Sequence, residues 1–297
     1  MSKIGKVLIL LPVFDEENNL ERLLNSIIEQ KHKDWILAFQ DNASKDKSIK
    51  ILTDFSKIDH RIVGKSLERT VSGAENWKSL AKWALSDFET DYVCWVSGDD
   101  KWSHASYLNN LIEEAERTKN VAIIAPIFQT TDTVGNLVGG PIELKAEGPL
   151  RVRKLLKNWH YVNLILGLYP REIFEKIFNS PSAQFTDTKY LDWWWTYTAL
   201  KFSDIRLSKN SIYLKALQMT DNQQLLAPRS SVKQKIYIIL LQPFKLVKNL
   251  FVEQRFRFNI FTDRIFFLII SYYFLLNLIK SISELICNVF LKLKIKF

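Results

Sequence analysis

The chain has 297 residues, enough for one large domain or for one domain with an appendage. Its 47% hydrophobic and 25% charged residues are typical of a globular protein and exclude an intrinsically disordered chain. The net charge of +9 lies entirely in residues 229–297, which hold 12 basic and 3 acidic residues, so a protein that is basic throughout is also excluded.

Two features of the sequence bear on the compartment in which the chain resides. Its cysteines, Cys94 and Cys287, match no metal-binding spacing and fall in apolar patterns, so we expect buried thiols in a reducing compartment. Lys6 interrupts the first apolar run, which leads directly into an acidic segment, so no secretory signal peptide is expected. We therefore expect the chain to reside in the cytoplasm.

The first part of the chain alternates between apolar runs and helical patterns. Lys6–Val13 is typical of a buried strand, and a helical pattern of leucine and isoleucine follows it. Trp35–Phe39 is a second such strand, followed by a polar turn and another helical pattern. This alternation predicts a parallel sheet with right-handed crossovers, in which ligands bind beyond the carboxyl ends of the strands.

The same alternation continues through the middle of the chain. Ser72–Leu85 predicts a loop that enters a helix, and Asp91–Val96 predicts a buried strand that ends at the polar segment Ser97–Asp100. The other elements expected before residue 200 are a helix at 106–119, a strand at 121–125, a hairpin or loop at 128–148 and helical segments within 150–200.

From Arg229 onward the sequence predicts two helical stretches, near 232–252 and 262–293, so we divide the chain into domains 1–228 and 229–297. The longest charge-free run, Ile265–Ile279, would span about 22 Å as a helix, short of the ~30 Å hydrocarbon core.

A basic, aromatic-rich segment of this kind favours peripheral contact with an anionic membrane surface. Packing on the body or on a second subunit of a homo-oligomer is the alternative. A nucleic-acid partner is disfavoured because residues 1–228 carry equal numbers of acidic and basic residues.

Acidic residues follow three of the predicted strands. Asp99 and Asp100 suit a divalent cation that neutralises a diphosphate, since such a cation takes one or two carboxylates together with phosphate oxygens. The alternative is that these two aspartates cap the next helix. Asp41 suits the acceptance of an N–H from a nucleobase, and an Asx turn is the alternative there.

Four segments occur in an order and spacing that resemble family 2 glycosyltransferases of the GT-A fold. They are VLILLPVFDEENNLERLLNSIIEQ, FQDNASKDKSIKIL, SGAENWKSLAKWAL and DYVCWVSGDDKW. The resemblance covers residues 5–125 and continues more weakly to about 225. It implies an α/β fold with a Rossmann-like, mixed and mainly parallel sheet flanked by helices, to which the helical C-terminal segment is added.

The resemblance also implies a nucleotide site, in which the turn after the first strand lines the base and Asp41 contacts it. Asp15 stands where the family has asparagine, and Glu75 replaces a basic residue beside Asn76, for which a helix-capping role is an equal alternative. The residues implied to bind the nucleotide are Pro12, Val13, Phe14, Glu16, Asp41, Asn76 and Asp99.

Asp99 matches the last aspartate of the family's Asp-x-Asp motif, which implies binding of Mn²⁺ or Mg²⁺ with Asp100 in support. Ser97 replaces the first aspartate, so a water molecule or the Ser97 hydroxyl would complete the site. The family's catalytic base comes late, just before a helix. Asp187 and Asp192 both fit that description, and the spacing to the following turn favours Asp192; helix capping is the alternative for either.

The function implied is an inverting transfer from a nucleotide-diphosphate sugar, with a UDP-sugar as the default donor, to a glycan or lipid-linked acceptor. Together with the basic tail, this predicts cell-surface polysaccharide or lipopolysaccharide synthesis at the inner face of the membrane. A degenerate, non-catalytic module that binds nucleotide or a partner is the alternative, and Ser97 supports it. Trp193–Trp195 would form an acceptor floor or belong to the core.

Overall fold

The computed structural model describes residues 5–132, 136–148, 159–180 and 191–216. The chain divides into two units, Met1–Leu217 and Gln218–Phe297, and every described residue belongs to the first unit. The helices predicted within 229–297 lie outside the described residues, so the domain boundary at 228 stays a prediction. Within the described residues, no helix is long and apolar enough to cross a membrane.

The first half of the fold is a parallel sheet whose strands alternate with helices as predicted, with one further, unpredicted strand between the second and third helices. Its elements are β1 (Val7–Val13), α1 (Leu20–Ile28), β2 (Trp35–Asp41), α2 (Ser48–Ile58), β3 (Ile62–Ser66), α3 (Gly73–Asp87) and β4 (Tyr92–Trp95). β1 pairs with β2 on one side and β4 on the other, so that Val13 is level with Asp41. All residues of β1 except Pro12 are buried, so both faces of the strand are covered, which explains its almost unbroken apolar sequence.

The second half adds three antiparallel pairings and one long parallel pairing to the same sheet. Its elements are β5 (Lys101–Trp102), α4 (Tyr107–Arg117), β6 (Ala122–Thr131), a 3₁₀ helix (Trp159–Leu166), β7 (Leu168–Pro170), α5 (Arg171–Phe178), α6 (Leu191–Phe202) and β8 (Asp204–Ala216). The strand order is β3-β2-β1-β4-β7-β6-β8-β5. The mixed, mainly parallel sheet flanked by helices is therefore confirmed.

Some strands carry no clear signal in the sequence. β3 is an edge strand whose last three residues are exposed, and β8 buries Ser208 and Ser211 where an apolar residue would have marked a strand. β6 runs on to Thr131, six residues past its predicted end. The expected hairpin follows it, with antiparallel bridges from Phe128 to Ile142 and from Thr131 to Leu137.

An aromatic cluster packs around Trp95, the last residue of β4. The Trp95 ring lies 4.4 Å from Trp77, 5.8 Å from Phe174 and 6.1 Å from Trp195, measured between centroids. Trp195 is therefore a core residue, and the side chains of Trp193 and Trp194 lie outside the described residues. The neighbouring Cys94 is a buried free thiol, as predicted.

Candidate active site

The turns that follow β1 and β2 are tied together at the carboxyl edge of the sheet. The Asp15 amide donates to Ser44 Oγ at 2.9 Å, and the Lys45 amide donates to Asp15 Oδ1 at 2.8 Å. Asp15 and Ala43 both adopt left-handed backbone angles, with φ of 52° and 56°. Such angles are uncommon for residues with a side chain. The contacts between the two turns therefore hold Asp15 and Ala43 in conformations that their own backbone preferences disfavour.

Asp41 is fully buried at the end of β2, and its two oxygens differ in their partners. Oδ2 accepts from the Ser66 hydroxyl at 2.6 Å and from the Ser44 amide at 3.2 Å. Oδ1 is buried and accepts no hydrogen bond from the described residues. Phe14, which directly follows the paired end of β1, is 48% exposed. A buried acceptor and an exposed aromatic residue therefore occur at the ends of two neighbouring strands.

Asn76 lies in the first turn of α3 and contacts Gln40, the residue before Asp41. Its Oδ1 accepts from Gln40 Nε2 at 2.8 Å, and the same amide group donates to Ser79 Oγ. These contacts join α3 to β2 inside the protein. The residue that caps α3 is Ser72, whose Oγ accepts from the amide of Glu75 at 3.2 Å, so the capping alternative for Asn76 is wrong.

Glu16 brings the turn after β1 against the turn after β4. A Cβ atom placed on Gly98 would lie 2.9 Å from Glu16 Cγ, so the two segments meet where only glycine fits. Burial raises the pKa of Glu16, the Asn19 amide opposes that rise, and the charge of Asp99 adds to it. Glu16 and Asp99 thus share one acidic environment.

Asp99 is 5% exposed and is held by two neighbours. The Ser97 hydroxyl donates to its Oδ1 at 2.5 Å, and Arg22 Nη2, from α1, donates to its backbone carbonyl at 2.6 Å. No described residue donates to Oδ2. The serine that replaces the first aspartate of the expected motif therefore orients the remaining carboxylate.

Asp100 bonds to β8 through both of its carboxylate oxygens. Oδ2 accepts from the Tyr213 hydroxyl at 2.9 Å, and Oδ1 accepts from the Ala216 amide at 3.0 Å. Burial, together with the charge of Asp99, raises the pKa of Asp100 to about 8. The alternative in which Asp99 and Asp100 cap the next helix is wrong, because the N-cap residue of α4 is Ser106 and the cap contains no side-chain hydrogen bond.

Asp192 lies in the first turn of α6 and is exposed. Three residues later in the same helix, Trp195 contacts Trp95 at the end of β4. Asp187, the other predicted base, lies outside the described residues.

The structure brings most of the predicted nucleotide-binding residues to one edge of the sheet. Among the described residues, no group of three histidines, cysteines or acids is arranged to hold a metal ion. Sequence reasoning did not find Ser66, Arg22 or Tyr213, which hold Asp41, Asp99 and Asp100. Ser66 belongs to the unpredicted β3 and Tyr213 to the unpredicted β8, and no spacing in the sequence links Arg22 to Asp99.

Known proteins resemble this chain over part of its length. GlyA, a glycosyltransferase of Streptococcus pneumoniae serotype 4, is 32% identical over 110 residues, which are 37% of this chain and 15% of GlyA. TuaG of Bacillus subtilis, a glycosyltransferase provisionally assigned to teichuronic acid biosynthesis, is 31% identical over 96 residues, 32% of this chain and 36% of TuaG. The chain thus spans well under half the length of either relative.

Solved structures share the fold at low sequence identity. S. aureus TarS 1-349 superposes with a TM-score of 0.56 at 14% identity, over 85% of this chain and 75% of that one. Its complex with UDP-GlcNAc gives a TM-score of 0.56 at 16% identity, over 79% and 65% of the two chains. GalNAc-T7 with UDP, GalNAc and Mn²⁺ gives 0.55 at 11% identity, over 89% and 54%.

The family profile described as Glycosyl transferase family 2 matches residues 8–178, more than half of the chain. This range contains the turns after β1, β2 and β4 that form the edge described above. The chain therefore belongs to the family 2 glycosyltransferases, and it has the GT-A fold that the sequence predicted.

Proposed function

We propose that this chain transfers a sugar from a nucleotide-diphosphate sugar, with uridine as the nucleoside, to a glycan or lipid-linked acceptor. The observation that carries the proposal is the buried Oδ1 of Asp41, which accepts no hydrogen bond from the described residues. An unpaired buried acceptor costs about 1–3 kcal/mol, and the N–H of a uracil base would remove that cost. Phe14, which is half-exposed beside the end of β1, is proposed to stack on the same base.

The comparisons support the two substrates of this proposal. TarS has been solved with UDP-GlcNAc and with UDP, which supports a uridine donor. The provisional assignment of TuaG to teichuronic acid biosynthesis supports an acceptor in cell-surface polysaccharide synthesis.

Asp99 is the proposed protein ligand of a divalent cation, Mg²⁺ or Mn²⁺. Ser97 orients Oδ1 of Asp99, and Oδ2 accepts from no described residue, so the carboxylate fits a site with one protein ligand. Mg²⁺ in particular takes one or two carboxylates and completes its shell with phosphate oxygens and water. A bound cation would supply neutralisation of the leaving diphosphate. Asp100, which bonds to β8 through both carboxylate oxygens, supports Asp99 in this role.

Asp192 is the proposed general base. Its carboxylate would take the proton from the acceptor hydroxyl while that oxygen attacks the anomeric carbon, opposite the leaving diphosphate, which gives inversion. The exposure of Asp192 and the contact of the following Trp195 with the end of β4 support a position close to the donor. Asp187 is the alternative base.

The basic segment 229–297 is proposed to hold the enzyme at the inner face of the membrane, where lipid-linked acceptors are accessible from the cytoplasm. The support is its composition, with 12 basic and 3 acidic residues among long apolar stretches.

A degenerate module that binds nucleotide without turnover is the second candidate, and Ser97 in place of an aspartate favours it. Release of UDP from a panel of UDP-sugars, with and without EDTA, separates the two candidates. Turnover that EDTA abolishes supports the metal-assisted transferase. UDP binding without turnover of any donor supports the degenerate module.

Two variants test the site itself by calorimetric titration with UDP and by UDP release. Asp41→Asn should weaken UDP binding by at least tenfold, about 1.4 kcal/mol, because the NH₂ group of asparagine would replace a carboxylate oxygen and face the base as a donor.

Asp192→Asn should leave UDP binding intact and reduce turnover by about 10²- to 10⁴-fold.

Asp54→Asn is the matched control. It removes a carboxylate that is 42% exposed on α2 and pairs only with nearby lysines there. Asp41→Asn that binds UDP as tightly as Asp54→Asn does would contradict the proposed base contact.

A further inference from the structure

The carboxyl end of β8 is bonded directly to the turn that bears Asp99. Tyr213 and Asp100 are both buried, with exposures of 0% and 1%, and the Tyr213 hydroxyl donates to Asp100 Oδ2 at 2.9 Å. The Ala216 amide donates to Asp100 Oδ1 at 3.0 Å. The side chain of Asp100 therefore belongs to the packing of β8 against this turn.

The hydroxyl of Tyr213 contacts both ends of the turn. Besides donating to Asp100, it accepts from the Ser97 amide at 3.4 Å. The turn closes on itself through a bond from the Asp100 amide to the Ser97 carbonyl at 3.1 Å. One phenol thus bridges the residues on either side of Gly98 and Asp99, and it does so from a strand that follows them by more than 110 residues.

The ring of Tyr213 is fixed independently of its hydroxyl. It packs against Phe128 at 5.7 Å and Tyr107 at 6.3 Å between centroids, and its backbone pairs with Trp102 of β5. A rigid ring holds the hydroxyl in place, so the hydroxyl can hold the turn in place.

We propose that Tyr213 is a positioning residue for Asp99, and that its hydroxyl holds the Ser97–Asp100 turn in the geometry that presents the Asp99 carboxylate to a cation and diphosphate. The second half of this statement rests on the proposed function. Since β8 ends at Ala216, the strand that leads into residues 218–297 also sets the geometry of the site.

Tyr213→Phe tests the proposal because it removes the hydroxyl and keeps the packed ring. Amide hydrogen exchange of residues 96–101 in the metal-free chain should become at least tenfold faster, since the Ser97 amide and Asp100 lose a partner. Turnover of a UDP-sugar should fall about 10- to 100-fold, as expected for a small misplacement of a site group. The Mn²⁺ concentration that gives half-maximal turnover should rise, while metal-free UDP affinity stays within twofold because Asp41 is untouched.

Tyr92→Phe is the matched control, because Tyr92 is a buried tyrosine at the opposite end of β4 whose hydroxyl donates to Asn120. It should leave exchange at 96–101 and the Mn²⁺ requirement unchanged. Equal exchange at 96–101 in wild type and Tyr213→Phe would overturn the inference, as would an unchanged Mn²⁺ requirement. A wild-type chain that binds no UDP and turns over no donor would instead contradict the proposed function, and the exchange result would still decide whether Tyr213 holds the turn.

Discussion

At Gly98, the turns after β1 and β4 approach so closely that a methyl group has no room. A Cβ there would lie 2.9 Å from Glu16 Cγ, an atom near the start of a side chain whose pKa burial already raises. Gly98→Ala should therefore push the two turns apart, lowering the free energy of unfolding by about 1–3 kcal/mol and reducing UDP-sugar turnover. Urea unfolding and UDP release measure the two effects.

Gly140→Ala is the control for this substitution, because an added Cβ at Gly140 meets no atom within 4 Å. It should change the free energy of unfolding by no more than about 0.5 kcal/mol, as expected for a surface position. If Gly98→Ala matched Gly140→Ala in both stability and turnover, the close approach of Glu16 to Gly98 would not constrain the residue at position 98.

Single residues were predictable from the sequence where a short-range rule applies to them. Asp41 and Asp99 follow apolar strands, and the carboxyl ends of neighbouring parallel strands meet, so their proximity to one edge followed from the pattern alone. The direction of the Asp100 side chain did not, because it depends on Tyr213, which is 113 residues away and belongs to a strand with no clear signal. The glycine requirement at position 98 depends likewise on Glu16 from another loop.

Among the elements, burial on both faces decided which strands could be predicted. β1 and β4 are covered on both sides and read as apolar runs, whereas β3 lies at an exposed edge with the polar sequence IVGKS. β8 mixes buried hydroxyl groups with exposed residues, and it satisfies Ser211 through a bond to the Tyr107 carbonyl. Long-range pairing of this kind leaves no period in the local sequence.

The end of α3 depends on an arginine from a different element. Arg171, the first residue of α5, donates to the carbonyls of Leu85 and Phe88 at 2.6 and 2.5 Å, where α3 has run out of its own donors. Arg171→Met keeps the aliphatic stem and removes these charge-assisted bonds, so the free energy of unfolding should fall by about 2–3 kcal/mol. Arg171→Lys should restore only part of that loss because lysine lacks the planar fork.

Arg117→Met is the matched control at this scale. Arg117 is 71% exposed and pairs with Glu114 within α4, an arrangement worth less than about 1 kcal/mol. Urea unfolding of the three variants beside wild type measures the effect. A loss for Arg171→Met no larger than that for Arg117→Met would show that α3 ends without help from α5.

For the whole molecule, the proposed site draws on both halves of the sheet. The parallel half contributes the turns that bear Phe14, Asp41 and Asp99, and the mixed half contributes β8, which fastens Asp100. Charge divides the chain differently, because residues 1–228 are neutral and residues 229–297 carry the entire excess. The proposed function thus assigns recognition of a donor and attachment to a surface to separate stretches of sequence.

This separation predicts how the full chain responds to a lipid surface. Vesicles containing phosphatidylserine should bind the chain, and vesicles of phosphatidylcholine alone should bind it far more weakly. Replacing Lys292, Lys294 and Lys296 by glutamine should weaken binding to the anionic vesicles by about 100-fold, since each lysine near such a surface contributes ~1 kcal/mol.

Replacing the exposed Lys82, Lys119 and Lys209 by glutamine alters the net charge equally but should leave binding unchanged. Vesicle sedimentation at 0.05 and 0.5 M salt measures both sets, because an electrostatic contact weakens as the screening length shortens. Equal losses in the two triple variants would mean that total charge, and not the tail, governs the contact, and the proposed placement at the membrane would then lose its basis.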